Sequence, residues 1–354
     1  MKISTKMATG FLALLVALCA LIPGCSGGTG KTELVIFEAG SLIIPFAEIE
    51  RAFETLHPDI DVLQEGHGSI QVIRHVTEIG DEVDLAVVAD YNLIPLLMYH
   101  TMLPDGSQSF ADWTIRFATN CLGFAYSADS LYASEINEDN WYEVLARSDV
   151  RLGMADPRLD ASGYRSLMLC QLAELYYEQN DIFDNIISHN ISGIRVAKVG
   201  EEYNITVPEI IESRRDNFYF RGFSVQLLTL LEAGQTDFAF MYKSLAIQHG
   251  LEFLELPPEV DMSSAALADE YSQVVVHLDF QRFKSVTPIF GGEPIIYGLT
   301  IPANAHHPNE AELFIQFLLG PEGQAIMVAN DHPTIPPTAD NPDVVPESLR
   351  SLLE

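Results

Sequence analysis

Three short apolar runs, Leu34 to Phe37, Ile60 to Gln64 and Asp84 to Val88, alternate with two segments of helical period, Leu42 to Leu56 and Ile70 to Ile79. In the first of those segments Leu42, Ile43, Phe46, Ile49, Ala52, Phe53 and Leu56 fall on one helix face. Helices of this length between buried strands predict βαβ units and a mostly parallel sheet, which makes the chain α/β. A second alternating set starts near Asn120 to Tyr126. It continues through a strand at Leu152 to Ala155, helices at Tyr164 to Gln179 and Val225 to Ala233, and a strand at Asp237 to Tyr242. The polar, Pro-rich stretch Glu255 to Glu270 reads as a surface excursion. A last strand, Pro294 to Thr300, and helices at Glu310 to Leu319 and Gly323 to Ala329 need a sheet to join. At 354 residues the chain exceeds one comfortable core. Two lobes are therefore expected, residues 33–116 with 296–354 and residues 117–295, joined by crossings near 116–124 and 288–296.

The N-terminus reads as export machinery. Lys2 and Lys6 precede an apolar run from Met7 to Ile22, too short to span a membrane, so residues 1–24 are expected to be a signal peptide. Cys25 opens a polar linker, residues 25–32, and looks like the lipid-modified residue of a lipoprotein; the alternative is a cut nearby with Cys25 unmodified. Either places the mature chain outside the cytoplasmic membrane, and anything holding it to that membrane is expected at its N-terminus. Cys121 and Cys170 lie in apolar segments and read as buried free thiols, and no paired Cys/His spacing suggests a structural metal. The formal net charge of −31 argues against nucleic acid and anionic membrane surfaces as partners. Lysine occurs only at positions 2, 6, 31, 198, 243 and 284, a balance that suggests a surface adapted to high salt.

Four serines stand at helix starts: Ser41, Ser69, Ser162 and Ser224. Taken singly, each is explained by capping, worth about 1 kcal/mol. Taken together they fall two to a lobe, near the sheet edges where α/β folds bind ligands. Helix N-termini add unpaired amides and a partial positive charge, so hydroxyls and amides there would surround a tetrahedral oxyanion without any Lys or Arg.

At these residues the chain resembles the archaeal molybdate/tungstate-binding proteins (ModA/WtpA), substrate-binding components of ABC importers. The stretches that carry the resemblance include EAGSLIIPF, EGHGSIQVIRHVTE, DLAVVADYNLIP, DPRLDASGYRS, DFAFMYKSLAIQHGL and EPIIYGLTIPANAHHPNEAELFIQFLLGPEGQ, over roughly residues 32–331. The resemblance implies a type II periplasmic-binding fold with two lobes, two hinge crossings and a ligand cleft. It also implies a monomeric, non-enzymatic receptor without cofactor, lipid-anchored outside the membrane, that passes tungstate or molybdate to a permease driven by an ATPase. Matching motifs assign Gly40, Ser41, Ser69, Asp160, Ala161, Ser162 and Tyr242 to the ligand, with Asp160 bound to its tungsten or molybdenum. The family's second metal-binding carboxylate is a Glu in an Arg-Pro-Lys-Glu stretch; an ungapped match places Ser224 there, within Arg221-Gly222-Phe223-Ser224. A hydroxyl donates where a carboxylate accepts, so six-coordination is in doubt and selectivity against sulfate is expected to rest more on cavity size.

Competing readings attach to several residues. Tyr242 alternates with Phe238 and Phe240 and would serve equally as a core aromatic; Arg165 reads as a partner for Asp160 or a carbonyl, and Asp90 as a helix cap. Glu38 and Glu65 flank the anion loops and are expected to face solvent or a backbone amine, and His67 to be exposed. No His-Glu-x-x-His, Gly-x-Ser-x-Gly or phosphate-binding loop occurs. The alternatives are a receptor of this fold for sulfate, phosphate or a carboxylate and, remotely, a secreted hydrolase.

Overall fold

The computed structural model describes residues 30–280 and 288–354; the expected signal peptide and Cys25 lie outside the described residues. In chain order the strands are β1 (Thr32–Ala39), β2 (Ile60–His67), β3 (Leu85–Val88), β4 (Ile115–Thr119), β5 (Leu122–Tyr126), β6 (Leu152–Ala155), β7 (Arg195–Val199), β8 (Glu202–Val207), β9 (Phe218–Arg221), β10 (Phe238–Tyr242), β11 (Glu252–Leu254), β12 (Val274–Leu278), β13 (Ile289–Gly291), β14 (Ile296–Thr300) and β15 (Thr334–Ala339).

The first lobe holds the sheet β15-β4-β14-β3-β1-β2. Its β2-β1-β3 part is parallel, whereas β14 returns antiparallel between β3 and β4, so the sheet is mixed. Helix Ile43–Leu56 connects β1 to β2 and buries Phe46, Ile49 and Phe53; the Phe46 and Phe53 rings lie 5.8 and 5.2 Å from that of Phe314 on helix Pro308–Leu319. The second lobe is built on β11-β5-β10-β6-β9. The chain changes sheet at Asn120–Cys121, between β4 and β5, and returns between β13 and β14.

A third sheet, β13-β12-β8-β7, was not legible in the hydrophobic pattern. Its edge strand β7 is almost wholly exposed, so it shows no apolar period. This sheet explains why helix Ala161–Tyr177 is buried on nearly every side through Ala173: it lies between β10 of one sheet and β12 of the other. Tyr164 stacks on Phe290 of β13 with ring centroids 4.3 Å apart. The stretch Glu255 to Glu270 is not a surface excursion throughout. Short helices at Pro258–Asp261 and Ala268–Tyr271 flank the fully buried Met262, and Val260 and Tyr271 are fully buried within them, each an isolated apolar anchor in a polar run. The helix expected over Ile70 to Ile79 divides into an α-helix, Ser69–Arg74, and a π-helical turn, His75–Ile79, that ends at left-handed Gly80. Cys121 is part-buried and Cys170 buried, both as free thiols. No described helix is long and apolar enough to cross a membrane.

One core histidine ties stability to pH. His332 is fully buried, donates through Nδ1 to the Asn330 carbonyl at 3.0 Å and packs edge-on to Tyr297; burial pulls its pKa down to about 4. Because an unfolded imidazole titrates near 6.5, the unfolded chain binds the extra proton first, and the contribution of neutral His332 is lost as pH falls from about 7 toward 4. Urea unfolding at pH 7 and pH 5 is expected to show a loss about 2 kcal/mol smaller in His332→Gln than in the native chain.

Candidate ligand-binding site

The first loop forms because β1 runs straight into a helical turn, Gly40–Leu42, ahead of helix Ile43–Leu56. That turn sets the buried Ser41 hydroxyl 2.7 Å from the Tyr297 hydroxyl on β14. Asn120, in the first crossing, donates through Nδ2 to Tyr297 Oη at 3.0 Å and to Ser244 Oγ at 2.7 Å, which ties the crossing to both lobes. In the second loop, Gly68 precedes helix Ser69–Arg74, and Ser69 Oγ accepts from the Ala89 amide at 3.0 Å.

From the second lobe, Asp160 caps helix Ala161–Tyr177. Its Oδ1 accepts from the Ser162 amide and its Oδ2 from the Ser224 amide, each at 3.1 Å. Burial raises the Asp160 pKa to about 6 while the two amides hold it down. The fully buried Ser162 hydroxyl lies beside this carboxyl but makes no well-formed hydrogen bond among the described residues. Ala161 is fully buried beside it. Tyr242, at the end of β10, is buried and accepts through its hydroxyl from Arg165 Nη1 at 3.0 Å; burial drives its pKa well up.

The loops of the two lobes meet with almost no clearance. A Cβ on Gly40 would come within 2.7 Å of Val225 Cγ2, and one on Gly68 within 2.6 Å of the Leu159 carbonyl oxygen, so only glycine permits this approach. The Gln71 amide donates to the Leu159 carbonyl across the same gap at 3.3 Å. Together these contacts draw Gly40, Ser41, Ser69, Asp160, Ala161, Ser162, Ser224 and Tyr242 into one buried cluster where the two lobes meet.

Capping is not what the serines do. Ser41 bonds Tyr297, Ser69 accepts from a different loop, and no side-chain cap forms at Ser224, while Asp160 takes the capping role beside Ser162. Arg165 pairs with a carbonyl, donating to Ala89 O at 2.7 Å, but its carboxylate neighbour is Asp90 at 3.4 Å. Asp90 accepts from the Asn92 amide at 3.1 Å, as a cap would, and also from Tyr164 Oη at 2.5 Å. Glu65 is exposed, whereas Glu38 is fully buried with no well-formed bond to either carboxyl oxygen, and burial lifts its pKa to about 8. His67 is half-buried, stacked on His75 at 4.3 Å and 3.1 Å from Glu65. Sequence reasoning missed Tyr297 and Asn120. Tyr297 sits in an apolar strand and reaches the site only because β14 inserts between β3 and β4. Among the described residues no cluster of His, Cys, Asp and Glu is arranged to hold a metal ion.

The model of the bacterial extracellular solute-binding protein family matches residues 34–330. An uncharacterized solute-binding protein of Methanoculleus marisnigri is 38% identical over 360 residues, covering 98% of each chain. The molybdate/tungstate-binding protein WtpA of Pyrococcus abyssi is 34% identical over 363 residues, covering 98% of this chain and 99% of its own. Two solved structures share the fold at 14% identity. The periplasmic molybdate-binding protein of Azotobacter vinelandii has a TM-score of 0.51, covering 84% of this chain and 98% of its own. The sulfate-binding protein SubI of Mycobacterium tuberculosis has a TM-score of 0.52, covering 92% of each. With its type II periplasmic-binding fold and these relatives, the chain belongs to the family of bacterial extracellular solute-binding proteins.

Proposed function

We propose that this protein is the receptor of an ABC importer and binds tungstate or molybdate in the closed cleft. One observation carries the reading: the hydroxyls there have their oxygens engaged by protein donors. Ser69 accepts from Ala89 and Tyr242 from Arg165. Tyr297 accepts from Asn120 and shares one hydrogen bond with Ser41, which leaves one proton of that hydroxyl pair free. Such hydroxyls have hydrogens to offer, which suits a ligand that is all acceptor. Ser162 and Ser224 add two more hydroxyls, and the loop turns at Gly40 and Ala161 add amides. At about 1.5–3 kcal/mol per charge-assisted bond, roughly six of them offset desolvation and association costs and reach nanomolar affinity.

Asp160 is the exception, an acceptor facing a dianion. Each oxygen keeps a lone pair beyond the amide it already accepts, and we assign it to the metal centre of the anion, as the fifth ligand. Sulfur does not expand its coordination in this way, so Asp160 favours tungstate and molybdate over sulfate. Ser224 supplies no second carboxylate, and that substitution supports a second reading, a receptor of this fold for sulfate, phosphate or a carboxylate. In either case the receptor works as a monomer, anchored by lipid on Cys25 outside the membrane, and delivers its anion to a permease coupled to a cytoplasmic ATPase.

Titration calorimetry of residues 26–354 with tungstate, molybdate, sulfate and phosphate in separate runs is expected to give sub-micromolar binding for the first two and silence for sulfate. Sulfate or phosphate bound as tightly as tungstate would favour the second reading, and silence toward all four would end the oxyanion assignment. Ser162→Ala should weaken tungstate binding about tenfold while leaving the melting temperature within a few degrees, since its hydroxyl supports no bond of the fold. Asp160→Asn, assayed the same way, should narrow the ratio of sulfate to tungstate dissociation constants; an unchanged ratio would remove the carboxylate from the metal.

A further inference from the structure

The interface between the lobes carries a buried polar network that adjoins the proposed ligand positions through Tyr242 and Ala89. Asp90 follows β3 in the first lobe and is 4% exposed; Tyr164 and Arg165 sit in the first turn of helix Ala161–Tyr177 in the second. Tyr164 Oη donates to Asp90 Oδ2 at 2.5 Å, Arg165 Nη2 lies 3.4 Å from the same oxygen, and Arg165 Nη1 donates to the Ala89 carbonyl at 2.7 Å. We propose that Asp90, with Tyr164 and Arg165, is a latch that holds the cleft closed and so sets how long the anion stays, an inference that rests on the receptor reading above.

The argument turns on where the cost of burial falls. Parting the lobes would return the Asp90 carboxylate, the Arg165 guanidinium and the Tyr164 hydroxyl to water, so they are desolvated only in the closed form. Burying a salt bridge costs about what the pairing returns, which leaves closure finely balanced and open to being tipped by a ligand. Removing one member leaves its partner buried and unsatisfied, and that penalty applies to the closed form alone. The latch also shares a residue with the site: Ala89 gives its carbonyl to Arg165 and its amide to Ser69. Loss of the clamp on one side of Ala89 therefore loosens a ligand hydroxyl on the other. Asp90 and Tyr242 further occupy the Arg165 guanidinium, so this buried cation serves closure and does not clamp the anion.

Tyr164→Phe deletes one hydroxyl and keeps the ring stacked on Phe290, and Asp90→Asn gives a second, independent variant. Stopped-flow measurement on residues 26–354 should show tungstate dissociation about tenfold faster in each, with association within about twofold of the parent. The double variant should add little, because both changes break the same bond. Spin labels at Leu63→Cys and Leu131→Cys, one exposed on each lobe, in a Cys121→Ser background, report the distance between lobes without ligand; each variant should shift that distribution to longer separations. Unchanged distances with unchanged dissociation, or effects that simply multiply in the double variant, would overturn the latch. If the parent chain gives no heat with tungstate the receptor reading fails, while the ligand-free distances still decide whether Asp90 and Tyr164 hold the lobes together.

Discussion

A buried hydroxyl whose oxygen already accepts a hydrogen bond from the protein keeps its proton for another partner. That constraint organises the cleft. Ala89, Arg165 and Asn120 bond the oxygens of Ser69, Tyr242 and Tyr297, and so leave hydroxyl protons there to be donated. The fold serves this arrangement. Tyr297 arrives on a returning antiparallel strand, Asn120 lies in the first crossing, and the third sheet presses helix Ala161–Tyr177 into place so that its first turn meets the opposite lobe.

Under the proposed reading, a chain of such acidity holding an anion is less paradoxical than its charge count implies. Exposed carboxylates are screened within about 8 Å at physiological ionic strength, whereas dipoles enclosed in the cleft act at contact distance through a poorly polarisable medium. Neutral donors also remove the need for a buried cation free to bind any anion. The guanidinium nearest the site is held by a carboxylate, a carbonyl and a phenol.

The parallel part of the first sheet was legible because its strands are buried apolar runs with an amphipathic helix between them. Strand β1 is longer than its apolar stretch, from Thr32 to Ala39, since strand pairing with β2 carries on past the point where hydrophobicity ends. The third sheet escaped because an exposed strand such as β7 has no face to advertise. At the site, the positions of Ser41, Ser69, Ser162 and Ser224 stood out from local turn chemistry, but their partners did not. Hydrogen bonds such as that from Tyr297 to Ser41, 256 residues apart, join residues whose neighbourhood in the chain gives no hint of the contact. Asp160 carried a dual signal, cap and ligand, and its two amide bonds show how the same carboxylate serves the helix that presents it.

The end of β1 brings a glutamate, Glu38, to within three residues of Ser41, and formal counting places a negative charge there. Sealed from water and without a well-formed hydrogen bond, that side chain has its pKa raised by burial to about 8, which favours the protonated form. Burial thus works against a negative charge at the end of β1. A tally of acidic residues therefore overstates the negative charge near Ser41, one of the residues proposed to meet the anion.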